Sequence, residues 1–213
     1  MKSAKGLWGA KWTENPWLAK MLLRSETPYP VQSPRYTMNS YPRGAALIIS
    51  NKRFENDHRE RPGTEQDCRK LKLLYEELGF HVSVKEDLKR YEILRECQIF
   101  ARDPILAKVD CMVLALLSHG TADNVIRYTS YRDTERGSWF IQEFVDVFYE
   151  HADEEHVMDM LTEINKRVSK RNYKDNSSED SCVQIPCPAT SLTKKWYMNP
   201  PPFATSFRRT IYY

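Results

Sequence analysis

Apolar and polar residues follow two different periods along the first half of the chain, and these periods predict alternating strands and helices. Residues 45–50, 81–84 and 111–117 predict three strands, the first and third covered on both faces. Between them, residues 64–78 and 91–102 repeat apolar side chains at helical spacing. The inward-facing positions of these helices are Leu71, Leu74, Tyr75 and Leu78, then Ile93, Leu94, Cys97 and Phe100. This order of elements predicts a parallel sheet with helices on its faces.

The second half of the chain is richer in helix. Residues 137–151 and 157–168 each carry a strong apolar stripe and predict two further helices. Residues 172–180 are charged and rich in serine, which predicts a loop. Residues 182–187 predict a last strand, and Pro186 within it indicates a sheet edge or a strand start.

The charge balance and the cysteines narrow the classes of function. The 213 residues include 32 basic and 29 acidic ones, a net charge of +3 that is too even to favour nucleic acid or a membrane surface. No apolar run is long enough for a signal peptide or a membrane span. We therefore expect a cytoplasmic protein. We also expect it to hold no metal and no cofactor. The five cysteines match neither a zinc site nor a disulfide framework, which favours a reducing compartment; they are Cys68, Cys97, Cys111, Cys182 and Cys187.

A polar pair, His119 and Gly120, follows the third predicted strand. Functional groups of parallel sheets gather at the carboxyl ends of the strands, so His119 is a candidate catalytic residue from its position. The alternative is a loop histidine without a chemical role. For Arg61 and Arg132, the alternative to a binding role is that they are ordinary solvated surface residues. For Trp139, the alternative is that it is a core residue.

Three segments of the first half resemble segments of one protein family. Residues 41–51 resemble the first strand of a caspase large subunit. Residues 61–67, Arg-Pro-Gly-Thr-Glu-Gln-Asp, resemble its Arg-x-Gly-Thr-x-x-Asp segment. Residues 116–120, Leu-Leu-Ser-His-Gly, resemble the segment of the catalytic histidine.

The second half continues the resemblance in the right order. Residues 130–132, Ser-Tyr-Arg, and residues 137–142, Gly-Ser-Trp-Phe-Ile-Gln, resemble the small subunit. Residues 184–187 and 192–195 resemble its last strand. The chain is thus similar to apoptotic cysteine endopeptidases that cleave after aspartate. The short segment ahead of the resemblance predicts the effector type.

The resemblance implies a fold and a division of the chain. The fold is an α/β three-layer sandwich, in which a mostly parallel sheet carries helices on both faces. The implied parts are a prodomain-like arm at residues 1–36, a large-subunit-like part at 37–127, a small-subunit-like part at 128–203 and a tail at 204–213.

The resemblance also implies roles for individual residues. His119 takes the place of the general acid, and the backbone N–H of Gly120 that of an oxyanion donor. Arg61 and Arg132 take the place of the pair that binds the substrate aspartate, a task suited to guanidinium groups. Ser130, Tyr131 and Trp139 take the places of neighbouring substrate-binding residues. The implied partners are protein substrates or caspase-like chains, with a homo- or heterodimer through the last strand.

The chain departs from the family where the nucleophile belongs. Caspases carry a Gln-Ala-Cys-x-Gly signature downstream of the catalytic histidine, and only residues 121–129 fill that interval here. We therefore predict that a central strand is deleted and that this chain is inactive. None of the five cysteines is expected to replace the nucleophile, because they lie in predicted helices, within a strand or in the last strand.

Three hypotheses follow for the molecule as a whole. The first is a non-catalytic decoy or binding protein that pairs with active caspases. The second is an incomplete or alternatively spliced product of an active effector caspase gene. The third is a non-enzymatic fragment that folds poorly.

Overall fold

Three parallel strands form the centre of the molecule. This computed structural model describes residues 34–54, 59–119, 131–174 and 181–201. Strand β1 spans Gly44–Ser50, β2 spans Phe80–Glu86 and β3 spans Cys111–Leu117, and β1 lies between the other two. Both pairings are parallel, which confirms the predicted sheet. Residues 1–33 of the predicted prodomain-like arm lie outside the described residues.

Strand β1 is buried along its whole length because helices cover both of its faces. Ala46 and Ile48 point into the larger apolar core, whereas Leu47 and Ile49 point into a smaller core on the opposite face. An uninterrupted apolar run is the pattern expected of such a strand. Three layers, helix–sheet–helix, follow from this burial.

The larger core lies beneath three helices. Helix α1 spans Thr64–Glu77, α3 spans Trp139–His151 and α4 spans Val157–Ser169, and all three supply buried side chains to it. Ser138 caps α3, since its hydroxyl accepts a hydrogen bond from the N–H of Ile141 at 3.4 Å.

The smaller core lies beneath helix α2, Arg90–Ala101, and a short 3₁₀ helix, Pro104–Ala107. Ile93, Cys97 and Phe100 pack towards the sheet as predicted. Leu94 does not, because 57% of its surface is exposed.

Two predictions for strands are wrong. Strand β3 was expected to be covered on both faces, yet its residues alternate between partly buried and exposed, because α2 packs over β1 rather than over β3. The last strand is shorter than predicted: β7 spans Ser181–Val183 and pairs antiparallel with β6, Asn172–Lys174, where a loop was expected. A two-residue pair, β4 Arg132–Asp133 with β5 Gly137–Ser138, precedes α3.

Candidate functional site

The loop after β1 carries Arg61 into a buried polar network. Arg61 is only 8% exposed, and its Nη1 group donates to the backbone carbonyl of Asn51 and to the Thr64 hydroxyl, each at 3.0 Å. The Asn51 side chain in turn bridges to the loop after β2, donating to the carbonyl of Leu88 and accepting from its N–H. The network therefore holds the guanidinium of Arg61 at the carboxyl ends of two strands.

A segment from the second half of the chain docks against this loop. Arg132 donates from Nε to the carbonyl of Pro62 at 2.7 Å. Gly63 has a φ of +84° and lies so close to the carbonyl of Asp133 that a Cβ there would approach its oxygen to 2.2 Å. Only glycine fits that backbone conformation and that contact. The two arginine-bearing segments are thereby fixed against each other.

A buried carboxylate completes the arrangement. Asp67 is 1% exposed and accepts a hydrogen bond from the N–H of Ser138 at 2.7 Å. Burial raises its pKa, while the hydrogen bonds of Ser138 and the charges of Arg132 and Arg61 act in the opposite direction. Asp67 therefore ties α1 to the start of α3 and faces both arginines.

The positive charges of Arg61 and Arg132 lie close enough to repel each other. Burial lowers the pKa of Arg61, and repulsion from Arg132 adds to that effect, whereas Asp67 opposes it. Two guanidinium groups face one carboxylate, so the cluster of Arg61, Arg132 and Asp67 keeps an excess of positive charge. Among the described residues, neither the Nη2 group of Arg61 nor the Nη groups of Arg132 have a hydrogen-bond partner. Such a site attracts a carboxylate.

Two aromatic residues flank Arg132. The rings of Tyr131 and Trp139 stack with centroids 4.9 Å apart, and the N–H of Trp139 donates to the carbonyl of Tyr131 at 3.1 Å. The N–H of Tyr131 donates to the side-chain oxygen of Gln184 at 3.0 Å. Gln184 is buried and lies just after β7, so the end of the chain braces this pair.

His119 lies at the same end of the sheet. It follows β3, and its Nε2 group donates to the carbonyl of Arg59 at 2.7 Å, in the loop that also carries Arg61. Its ring packs against that of Phe54 at 4.5 Å between centroids. The structure thus brings His119 and the Arg61 loop together at the carboxyl ends of the strands.

A cavity of about 800 Å³ opens beside these residues, between the loop after β1 and the start of α2. The lining includes Asn51, Phe54, Leu88, Arg90, Leu94 and Ser118. Four of the ten lining residues are apolar and six are polar or charged, and the cleft is open to solvent.

Two predicted site residues, Gly120 and Ser130, lie outside the described residues. Among the residues that the structure describes, no three His, Cys, Asp or Glu side chains are grouped as metal ligands. Within the same parts of the chain, no helix is long and apolar enough to cross a membrane.

Three of the four described cysteines pack against the two apolar cores, and the fourth, Cys187, is exposed. Cys68 is 5% exposed, and burial raises its pKa. Burial raises the pKa of Cys111 to about 11, and this residue starts β3 at the end of the strand opposite to His119. Cys97 lies in α2 and packs against the smaller core. Because the thiolate is the nucleophilic form, a raised pKa works against reactivity at neutral pH.

Three supporting residues were not identified as site residues from the sequence. Asn51 and Gln184 belong to segments that resemble the family, but their burial depends on distant segments, so the sequence alone does not mark them as site residues. Asp67 belonged to a recognised motif, but its partner Ser138 lies 71 residues away.

Comparison with known proteins gives consistent matches. The sequence profile of the family described as Caspase domain matches residues 43–127 and 125–197. The chain is 25% identical to Caspase A of Caenorhabditis elegans over 254 residues, covering 77% of this chain and 46% of that protein. It is 23% identical to Caspase-2 of Gallus gallus over 256 residues, covering 78% of this chain and 60% of that protein. The chain thus spans about half the length of these two relatives.

A solved structure agrees with these matches. The crystal structure of Caspase-1 from Spodoptera frugiperda superposes with a TM-score of 0.71, covering 80% of this chain and 95% of that chain. Sequence identity over the superposition is 22%, so this similarity concerns the fold.

Proposed function

Because this chain belongs to the caspase domain family, we propose that it is a member without peptidase activity that binds aspartate-containing protein segments. Its arginine pair and aromatic residues form the binding surface, and the cysteine nucleophile of the family is absent. In this proposal the protein acts in the apoptotic system as a decoy or binding partner rather than as a protease.

The missing nucleophile segment is the observation that carries the proposal. Residues 121–129 join the histidine segment to the Ser-Tyr-Arg segment and contain no cysteine. The match to Caspase A extends over 254 residues although this chain has 213, so that relative contains residues without a counterpart here. The two matches to the family profile meet at residues 125–127, where the nucleophile segment would belong.

The arginine pair supports the binding half of the proposal. Arg61 and Arg132 are held by backbone carbonyls through one side of each guanidinium, which leaves the other side for a ligand. A carboxylate bound there would relieve the repulsion between the two charges and accept charge-assisted hydrogen bonds. Tyr131 and Trp139 would contact the residues next to the bound aspartate.

His119 supports the same reading. Its Nε2 proton is donated to the carbonyl of Arg59, and residues 121–129, which follow it in the sequence, contain no cysteine. Without a nucleophile, a general acid has no covalent intermediate on which to act.

The first experiment measures turnover and binding on the same purified chain. A fluorogenic peptide ending in aspartate should give no cleavage above background, because removing a nucleophile of this kind costs several orders of magnitude in rate. A fluorescent, non-cleavable aspartyl peptide should bind, and the Arg132→Ala variant should weaken binding about tenfold, the value of one charge-assisted hydrogen bond.

The controls separate the aspartate site from general positive charge. Arg136→Ala removes an exposed arginine from the same segment and should leave peptide binding unchanged. A peptide with asparagine in place of aspartate should bind as weakly as the aspartyl peptide does to Arg132→Ala. Turnover that disappears when one of the five cysteines is replaced would refute the proposal, and so would a folded chain that shows no preference for aspartate.

A second candidate is that the chain is an incomplete or alternatively spliced product of a gene for an active caspase. The abrupt join near residue 127 favours it, because both sides of the join keep recognisable family segments. A transcript from the same locus that encodes the missing segment would support this candidate. If no full-length transcript read from this locus encodes the missing segment, that result would support the proposal of an inactive family member.

The expected partners belong to the proposal as well. Protein substrates or caspase-like chains fit the family, and the predicted dimer through the last strand has two exposed apolar residues, Val183 and Ile185, in or next to β7. A cytoplasmic location is likewise proposed, and fractionation of cells expressing the chain would test it.

A further inference from the structure

Strand β3 is an edge of the described sheet. The strand order is β2-β1-β3, so β3 is paired with β1 on one side and with no described strand on the other. An edge strand of seven residues presents a row of backbone groups to any chain that can pair with it.

The backbone of β3 shows which groups face outward. The N–H of Asn51, one residue past β1, donates to the carbonyl of Leu117 at 2.8 Å. In a parallel ladder the N–H and C=O of one residue point to the same side, and successive residues alternate. The N–H and C=O groups of Met112, Leu114 and Leu116 therefore point towards the open edge.

The side chains of the same three residues form an exposed apolar stripe. Met112, Leu114 and Leu116 are 53%, 48% and 53% exposed. They lie on the α2 face of the sheet, because Leu114 is in register with Leu47 and Leu116 with Ile49. The helix covers the β1 residues and stops short of β3. Large aliphatic side chains in such a row favour a partner that excludes water.

The strand also lacks the features that normally protect an edge. Its sequence, Cys-Met-Val-Leu-Ala-Leu-Leu, contains no charge, no proline and no glycine. Natural edge strands discourage pairing with lysine, proline or a bulge. A two-fold axis at Leu114 would place each apolar residue of the stripe opposite another apolar residue, Leu114 against Leu114 and Met112 against Leu116. The edge is thus self-complementary.

We propose that two copies of this chain dimerise by antiparallel pairing of β3 with β3. The outward backbone groups of Met112, Leu114 and Leu116 would form about six hydrogen bonds across the axis. The two three-stranded sheets would become one continuous sheet of six strands, with the two apolar stripes side by side on one face. Such an interface is isologous and closed, so it ends at the dimer.

The experiment measures the mass of the full chain in solution by light scattering over a range of concentrations. We expect a dimer, about twice the 25.1 kDa of the chain. Leu114→Lys should raise the dissociation constant more than tenfold, because it places two positive charges directly opposite each other at the axis. Leu73→Lys, a matched change at a position 46% exposed on α1, should leave the dimer intact.

A cross-linking measurement applies even if Leu114→Lys fails to fold. Directly opposed, hydrogen-bonded residues of an antiparallel pair have Cα atoms about 5.5 Å apart, within the range that a disulfide spans. In a Cys187→Ser background, Leu114→Cys should form an intermolecular disulfide under mild oxidation, and Leu73→Cys, at an exposed position of α1, should not.

Three results would overturn the proposal. One is a monomer at every concentration, with the amide protons of Met112, Leu114 and Leu116 protected from exchange, which would mean that the chain covers its own edge. Another is a dimer that Ile185→Lys dissociates and Leu114→Lys does not, which would assign the interface to the last strand. A third is equal cross-linking of the two cysteine variants.

Discussion

At the scale of single residues, one buried carboxylate controls the electrostatics of the candidate site. Asp67 links α1 to Ser138 and faces Arg61 and Arg132, yet burial raises its pKa above the value in an unfolded chain. Between the two pKa values, the folded state holds more protons than the unfolded state. The free energy of unfolding therefore falls as the pH rises through that window, and the stabilising contribution is complete only below it.

The variant Asp67→Asn tests this sign. The amide oxygen can still accept the hydrogen bond from Ser138, but the titration is removed. The free energy of unfolding of the wild type, minus that of the variant, should decrease with increasing pH from about 3.9, the ordinary pKa of aspartate, upward. Urea titrations at closely spaced acidic pH values measure the difference, and Asp153→Asn, at an exposed position, corrects for the loss of one charge. A difference that grows with pH would contradict the raised pKa.

At the scale of elements, helix α2 shows where the sequence pattern stops being sufficient. Ile93, Leu94, Cys97 and Phe100 all suit one broad apolar face, but only three of them pack on the sheet. The width of the covered face depends on how many strands lie beneath the helix, and that number is not a local property. Here α2 covers β1 and leaves Leu94 outside.

Two substitutions in α2 distinguish the predicted packing from the observed one. Phe100→Ala should lower the free energy of unfolding by about 3 kcal/mol, as expected for a buried aromatic residue. Leu94→Ala should cost less than about 0.5 kcal/mol, because more than half of Leu94 is already exposed. Urea denaturation followed by circular dichroism compares the two. Equal costs would mean that Leu94 is buried in solution.

The elements that the sequence predicted share one property: each is determined by its own residues. The apolar run of β1 and the apolar stripe of α1 need no distant information. Strands β6 and β7 do need distant information, because each has only three residues and is formed by pairing with the other. The site follows the same division. His119 and Arg61 could be predicted from local motifs, whereas Gln184 meets Tyr131 only after the chain has folded.

At the scale of the whole molecule, the two caspase-like parts share one core. Helix α1 comes from residues 37–127 and helices α3 and α4 from residues 128–203, yet all three pack into the same apolar cluster. The site repeats this pattern, because Arg132 is held by Pro62 and Ser138 by Asp67. Neither part can therefore bury its own apolar surface alone, which argues against two independent folding units.

This shared core predicts a single unfolding transition. Leu74→Ala in α1 and Ile164→Ala in α4 remove fully buried side chains from opposite parts of the chain. Each should lower the free energy of unfolding by about 2–5 kcal/mol and shift the same transition. Leu73→Ala, whose side chain is 46% exposed next to Leu74, is the matched control and should change the free energy of unfolding little.

The melts are compared at one protein concentration, because dimerisation through β3 would itself raise the apparent stability. Two separate transitions, with Leu74→Ala moving one and Ile164→Ala the other, would show that the parts fold independently. A shared transition would mean that the arginine pair is assembled only when both parts have folded, so that the proposed binding of aspartate would require the intact chain.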